Sequence, residues 1–190
     1  MTRVFQLEVE VGDDCPLIDW ERHPAVADAF IQFDALLRDS NHESELMDRL
    51  LRLTTQGHRS NEVDAIYLTP GLAVSERAKN ALRLLNIPRI RFFPFQLDSA
   101  RFFVVTTDRI VDCLDHERSQ IEYFRSNPTR VKHIRHYAFH LSIIPDPDLF
   151  TIPELCDGMF SYSRPLFVTG AVVAALSAAG LQGFRFEQLV

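Results

Sequence analysis

Histidines, cysteines and carboxylates are the residues through which this chain could do chemistry. His133, His136 and His140 lie closest together, with His116 and Asp112 or Asp115 a little upstream. On a helix, His136 and His140 would share a face at i and i+4 and could hold a metal ion together. On a strand they would still share a face, and His133 would point the other way. Residue 137 is Tyr, so the HExxH pattern of a zinc protease is absent. The run Asp112–Cys113–Leu114–Asp115–His116–Glu117–Arg118–Ser119 places a thiol three residues from an imidazole. A nucleophile needs spatial geometry and an activated thiolate, and that spacing alone supplies neither. The expectation is a buried, inert Cys113 at the end of a strand. The motifs GxxxxGK[ST], GxGxxG and GxSxG do not occur, and the seven glycines are not clustered. No pair of carboxylates is fixed at the separation a hydrolase needs. The residues give no positive signal for an enzyme. A small metal-dependent enzyme or ligand-binding protein built on His116, His133, His136 and His140 stands as the alternative function.

Charge is distributed unevenly. Residues 1–60 hold twelve Asp/Glu against six Lys/Arg, and residues 61–190 hold fourteen of each, so the whole net charge of −6 lies in the first third. That argues against nucleic-acid binding through a general basic surface. An acidic N-terminal portion suits a basic partner and could speed its capture, or it is a solvated face that aids solubility.

The elements that would position these groups follow from periodicity. Residues 4–11 alternate: Phe5, Leu7, Val9 and Val11 on one face, Gln6, Glu8 and Glu10 on the other, with Val4 the apolar exception. Residues 24–38 read as a helix with Pro24 in its first turn. Asn41 and Ser44 are candidate caps for a second helix through roughly Leu53. Val63 to Leu68 reads as a strand closed by Thr69–Pro70–Gly71, and Phe102 to Val105 as a strand pairing back on Phe92 to Phe95. Residues 108–130 look polar and irregular. Val131 to Ile144 suits an extended strand, broken by Pro145–Asp146–Pro147–Asp148.

One pattern occurs twice at a fixed offset of 94. Leu72, Val74, Ala81, Leu82, Arg91 and Phe92 match Leu166, Val168, Ala175, Leu176, Arg185 and Phe186. Each copy reads as strand, capped helix, strand. Ser75 and Thr169 occupy the N-cap position, where a hydroxyl accepts from an orphan helix N–H. Asn86 and Gly180 sit where the helix must stop and tolerate the left-handed conformation. Ile87 and Leu181 are placed to pack back on Leu82 and Leu176. The first helix is amphipathic. Residues 170–179 are apolar nearly all round, which predicts a buried core helix or a dimer-interface helix; about ten residues cannot span a bilayer that needs ~20.

The resulting expectation is one α+β domain over residues 1–190, with a mixed or antiparallel sheet. It divides into an acidic, helical N-terminal portion (1–62) and a remainder (63–190) carrying the strand–helix–strand units at about 72–95 and 166–188. Fifteen Phe favour packed sheets or interfaces. The N-terminus lacks a signal peptide's apolar core, and Cys15, Cys113 and Cys156 form neither a disulfide framework nor a CxxC site, so a cytoplasmic protein is expected. No cofactor and no membrane contact are called for.

Several stretches resemble a family of bacterial immunity proteins, the one numbered eleven among those of polymorphic toxin systems. They are Asp157–Gly158–Met159–Phe160, Leu166–Phe167–Val168–Thr169 and Ala175 through Phe186, similar to an ending of outline "iFr … ifVSe.l..al..agl.G..F". Upstream, Ile90 to Phe95 with Pro94, and Val111–Asp112–Cys113–Leu114–Asp115 followed by Ser119, look like the family's "qffPv" and "vdclD…S" stretches. The resemblance covers roughly residues 66–190. Thr169–Gly170 departs from a common Ser–Glu start that Ser75–Glu76 keeps, and Tyr162 and Arg164 fit the family's middle only loosely. It implies a cytoplasmic antitoxin that binds and blocks a cognate toxin or effector, with no catalytic residues to carry over. On that reading Asp13, Asp14, Asp19, Glu21, Glu43, Glu45 and Asp48 are the candidate contacts to a basic toxin surface, such as that of a nuclease, and a homo-oligomer stays open.

Overall fold

A computed structural model describes residues 2–10, 51–53, 63–68, 71–97, 99–156 and 164–190, with backbone alone at 51–53 and 68. The expected helix at 24–38 and the start of the second one lie outside these residues. Among these described residues, two mainly antiparallel sheets, two α-helices and a separate ribbon make an α+β architecture.

The five-stranded sheet is ordered β2-β5-β6-β4-β3, from β2 (Leu51–Leu53), β3 (Ala65–Leu68), β4 (Gly71–Ser75), β5 (Ile90–Leu97) and β6 (Ala100–Thr107). Helix α1 (Glu76–Leu84) joins β4 to β5. Both strands are antiparallel to β6, which lies between them. The predicted hairpin is there, with Phe92 opposite Val105 and Phe95 opposite Phe102. Residues 51–53 correct the second-helix expectation at its end: they form a strand parallel to Phe95–Leu97. Their partner is some 44 residues away (95 − 51), so no local pattern announces the pairing.

The second sheet repeats this plan with a different closing strand. Its order is β11-β1-β10-β9, from β1 (Val4–Val9), β9 (Leu149–Phe150), β10 (Leu166–Thr169) and β11 (Phe184–Gln188), and α2 (Gly170–Ala178) joins β10 to β11. Here β1 takes the place that β6 holds in the first sheet. Phe5 opposes Val168 and Leu7 opposes Phe186, while Phe103 opposes Val74 and Val105 opposes Phe92. A shift of 98 between the closing strands (103 − 5 = 105 − 7), with the offset of 94 between their partners (168 − 74 = 186 − 92), relates the two sets of pairings.

The two sheets and both helices share one apolar core. Phe5, Leu7 and Val9 enter it from β1, Phe103 and Val105 from β6, Ala78 and Leu82 from α1, and Val172 and Leu176 from α2. Fully burying a Val, Leu or Phe side chain contributes about 1.5–3 kcal/mol. On the other face of the four-stranded sheet, Val4, Phe150 and Phe167 build a second core with Val111, Cys113, Ile134 and Phe139. Val4, the exception to the β1 alternation, is apolar because that face is covered too. The expectation of a core helix at 170–179 is corrected. Only Val172 and Leu176 are buried, and Ala174, Ala178 and Ala179 are exposed. Alanine is apolar yet small enough that exposing it costs little, so composition overstated the burial.

Candidate functional site

The expected irregular stretch at 108–130 holds as far as residue 119, and the expected strand at 131–144 as far as His136; residues 120–136 form a ribbon. Strands β7 (Gln120–Phe124) and β8 (Asn127–His136) pair antiparallel, from Gln120 opposite His136 to Phe124 opposite Asn127. Bulges interrupt the register, and this explains why β8 shows no clean alternation. Ile134 is buried in the second core, with Ile121 and Val131 packed beside it. Arg130, Lys132, His133 and Arg135 are exposed, as are Tyr123 and Phe124 near the turn.

The residues that resembled "vdclD…S" set the root of this ribbon. Asp115 is buried, and its Oδ1 accepts from the backbone N–H groups of Glu117 and Arg118, each at 3.1 Å. The Asp115 N–H donates to the Ala138 carbonyl at 2.8 Å. The Ser119 hydroxyl accepts from Ala138 N–H at 2.9 Å and donates to its carbonyl at 3.3 Å. Asp115 and Ser119 thus tie the chain entering β7 to the chain leaving β8. Beside this tie lies a cleft of about 510 Å³, lined by Thr2, Arg3, Arg118, Ala138, Phe139, Leu141, Gln188 and Val190.

The ribbon is basic. Residues 120–136 hold Arg125, Arg130, Lys132 and Arg135 against Glu122, a net of +3 (4 − 1) with neutral His. Glu122 pairs with Arg135. The Arg130 guanidinium stacks over Phe124, 5.2 Å from the ring centroid. Composition over 61–190 hid this charge because acidic residues elsewhere balance it.

The histidines do not converge. His133 and His136 lie on β8, whereas His140 precedes the 3-10 turn at Leu141–Ile143, so the shared strand face expected for His136 and His140 does not form. His116 Nε2 is 2.6 Å from Glu154 Oε1. Among the described residues no three His, Cys, Asp or Glu side chains are placed to hold a metal. Cys113 is fully buried, in the irregular segment after β6 rather than at a strand end. Burial, then the nearby Glu154, Asp112 and Asp148 carboxylates, push its thiol up to about 12. That is the reverse of an activated nucleophile.

The proposed acidic contacts Asp13, Asp14, Asp19, Glu21, Glu43, Glu45 and Asp48 all lie outside the described residues. Among the described residues no helix is long and apolar enough to cross a membrane. A family model described as Immunity protein family (Imm11) matches residues 35–190. The match begins 31 residues before the motif resemblance does (66 − 35) and takes in Glu43, Glu45 and Asp48. No curated protein matches the chain.

Proposed function

The chain belongs to the Imm11 immunity protein family, and from that premise we propose that it binds a cognate bacterial toxin in the cytoplasm and neutralises it by stoichiometric occlusion, without catalysis. The family match over residues 35–190 carries the reading. The protonated Cys113 and the pairing of His116 with Glu154 support a non-catalytic role. In this reading residues 1–190 are one domain, and the two strand–helix–strand segments are copies of one unit that supplies the frame. Partner choice sits in the acidic N-terminal portion and the exposed connections. Asp13, Asp14, Asp19 and Glu21 precede the family match and would be the more partner-specific contacts. Glu43, Glu45 and Asp48 lie within it. A nuclease toxin fits such a set, because a surface that binds phosphates is basic.

Co-expression with the toxin encoded beside this chain's gene should restore growth, and the purified pair should run as a stoichiometric complex. Absence of both rescue and complex would sink the immunity reading. Charge reversal of all seven acidic residues should weaken binding by about tenfold or more and flatten its salt dependence. Unchanged affinity would discard the acidic contact face while leaving immunity intact.

A further inference from the structure

The basic ribbon is not used by the acidic-face reading, and its chemistry points the other way. Among the described residues, Arg3, Arg118, Arg125, Arg130 and Lys132 have no carboxylate partner. Within the described residues, Arg135 is the ribbon cation that is neutralised, by Glu122. In a chain of net charge −6, four cations against one carboxylate within 17 residues is a local reversal of sign. Ion pairing inside the described fold does not account for it. Two aromatic side chains accompany the cations: Tyr123 is 41% exposed and Phe124 36%. Arg, Tyr and Phe are enriched where protein partners dock, because they present large area with few rotors to freeze. The Arg130–Phe124 stack already orders one such pair before any partner arrives.

The ribbon is also held firmly at one end. Asp115 and Ser119 fix its root, Ile134 anchors β8 in the second core, and the cleft with Arg3 and Arg118 opens where β7 begins and β8 ends. Phe139 and Leu141 give that cleft an apolar wall. We propose that the β7–β8 ribbon and the cleft at its root are a docking surface for an acidic segment of the toxin. Partner carboxylates would meet Arg125, Arg130 and Lys132, and an apolar side chain flanked by a carboxylate would enter between Arg3 and Arg118. The inference rests on the immunity reading and names the chemistry of that partner. Nucleic acid is the disfavoured ligand, since the chain as a whole repels phosphates.

The test measures binding of the purified toxin domain to wild type, to R125E/R130E/K132E and to R118E, at two salt concentrations. Wild-type binding must be present first; its absence counts against the immunity reading itself. Given that binding, the triple variant should lose about tenfold or more in affinity, and R118E a smaller share. Both variants should keep the wild-type circular dichroism spectrum, because all four side chains are exposed. A conservative R125K/R130K variant should keep most of the affinity through its retained charge. Unchanged toxin affinity in the triple variant overturns the proposal. A triple variant that binds toxin normally but loses affinity for a 20-nucleotide single strand also overturns it, in favour of a nucleic-acid ribbon.

Discussion

Ser75 and Thr169 begin their helices at equivalent positions, yet their hydroxyls have different duties. Ser75 Oγ accepts from Ala78 N–H at 3.2 Å, the expected N-cap bond, and donates to Asp64 Oδ1 at 2.6 Å. Thr169 Oγ1 makes no cap bond. It accepts from Asp148 N–H at 3.0 Å instead. Each site has a buried aspartate, and in each the cap residue's N–H reaches that aspartate's carbonyl. The first aspartate ties the two segments together, since Asp64 Oδ2 accepts from Gln182 N–H at 3.1 Å. The second holds Arg109 at 3.2 Å. The Ser75 hydroxyl thus caps its own helix while also reaching Asp64, whereas the Thr169 hydroxyl gives up the cap and serves only as a tie to Asp148. The closing strands differ as well. β6 follows β5 directly, whereas β1 reaches β10 and β11 only after most of the chain has closed as a loop, which costs more entropy.

The largest test of this contrast is kinetic. Phe5→Ala and Phe103→Ala remove counterpart core rings and should each cost about 3–5 kcal/mol. Stopped-flow chevrons should show Phe103→Ala mainly slowing folding and Phe5→Ala mainly speeding unfolding. Equal partitioning would remove the distinction between early and late closure.

Next come the left-handed residues, Arg89 at φ 60° and Gly183 at φ 86° (183 − 89 = 94). A Cβ at Gly183 would stand 2.6 Å from the Ala65 carbonyl oxygen. Gly183→Ala should therefore cost about 3 kcal/mol by denaturant titration. Arg89→Ala, which keeps a Cβ where one is already accommodated, should stay within about 0.5 kcal/mol. Similar losses would mean that the close approach at Ala65 relaxes freely.

The caps follow. Ser75→Ala loses both the cap bond and the bond to the buried Asp64 carboxylate and should cost about 2–3 kcal/mol, whereas Thr169→Val strands only the buried Asp148 N–H and should cost about 1–2 kcal/mol. A reversed order would mean that the cap and Asp64 bonds together contribute less than the Asp148 bond.

The smallest effect at neutral pH separates the two cores. Cys113 and Tyr137 of the second core are both pushed up to about 12, chiefly by burial, with the Glu187 carboxylate adding to Tyr137. A raised acid holds its proton more tightly folded than unfolded. The stability is fully present below pH ~9 and falls as pH climbs toward 12, by at most about 1.4 kcal/mol per pH unit for each group. Thermal melts across this range should flatten in Cys113→Ala, and an unchanged slope would remove Cys113 from the account.

Much of the frame was legible because it is local. The alternation of Phe5, Leu7 and Val9 marked β1, and aromatic runs marked β5 and β6. The helix stops were readable too: Asn86 and Gly180 take φ 53° and 62°, and Leu181 N–H closes on the Leu176 carbonyl at 3.4 Å. The ribbon was not legible, since Pro128, the bulges and the exposed charges of β8 erase the period-2 signal. Of the candidate site, the resemblance marked Asp115 and Ser119, but nothing in their spacing said that they hold a ribbon. The histidines drew attention because residue type is visible in sequence and convergence is not.

The sequence by itself determined the family, the local starts and stops of both helices, and the confinement of net acidity to the first third. Tertiary structure alone decided that β1 closes the second sheet, that α2 leaves Ala174 and Ala178 in water, and that Arg125, Arg130 and Lys132 share one exposed ribbon. Caps and alternation are set by neighbours a few residues away. Strand partners, burial and charge clustering depend on residues dozens of positions apart, which come together only when the chain closes.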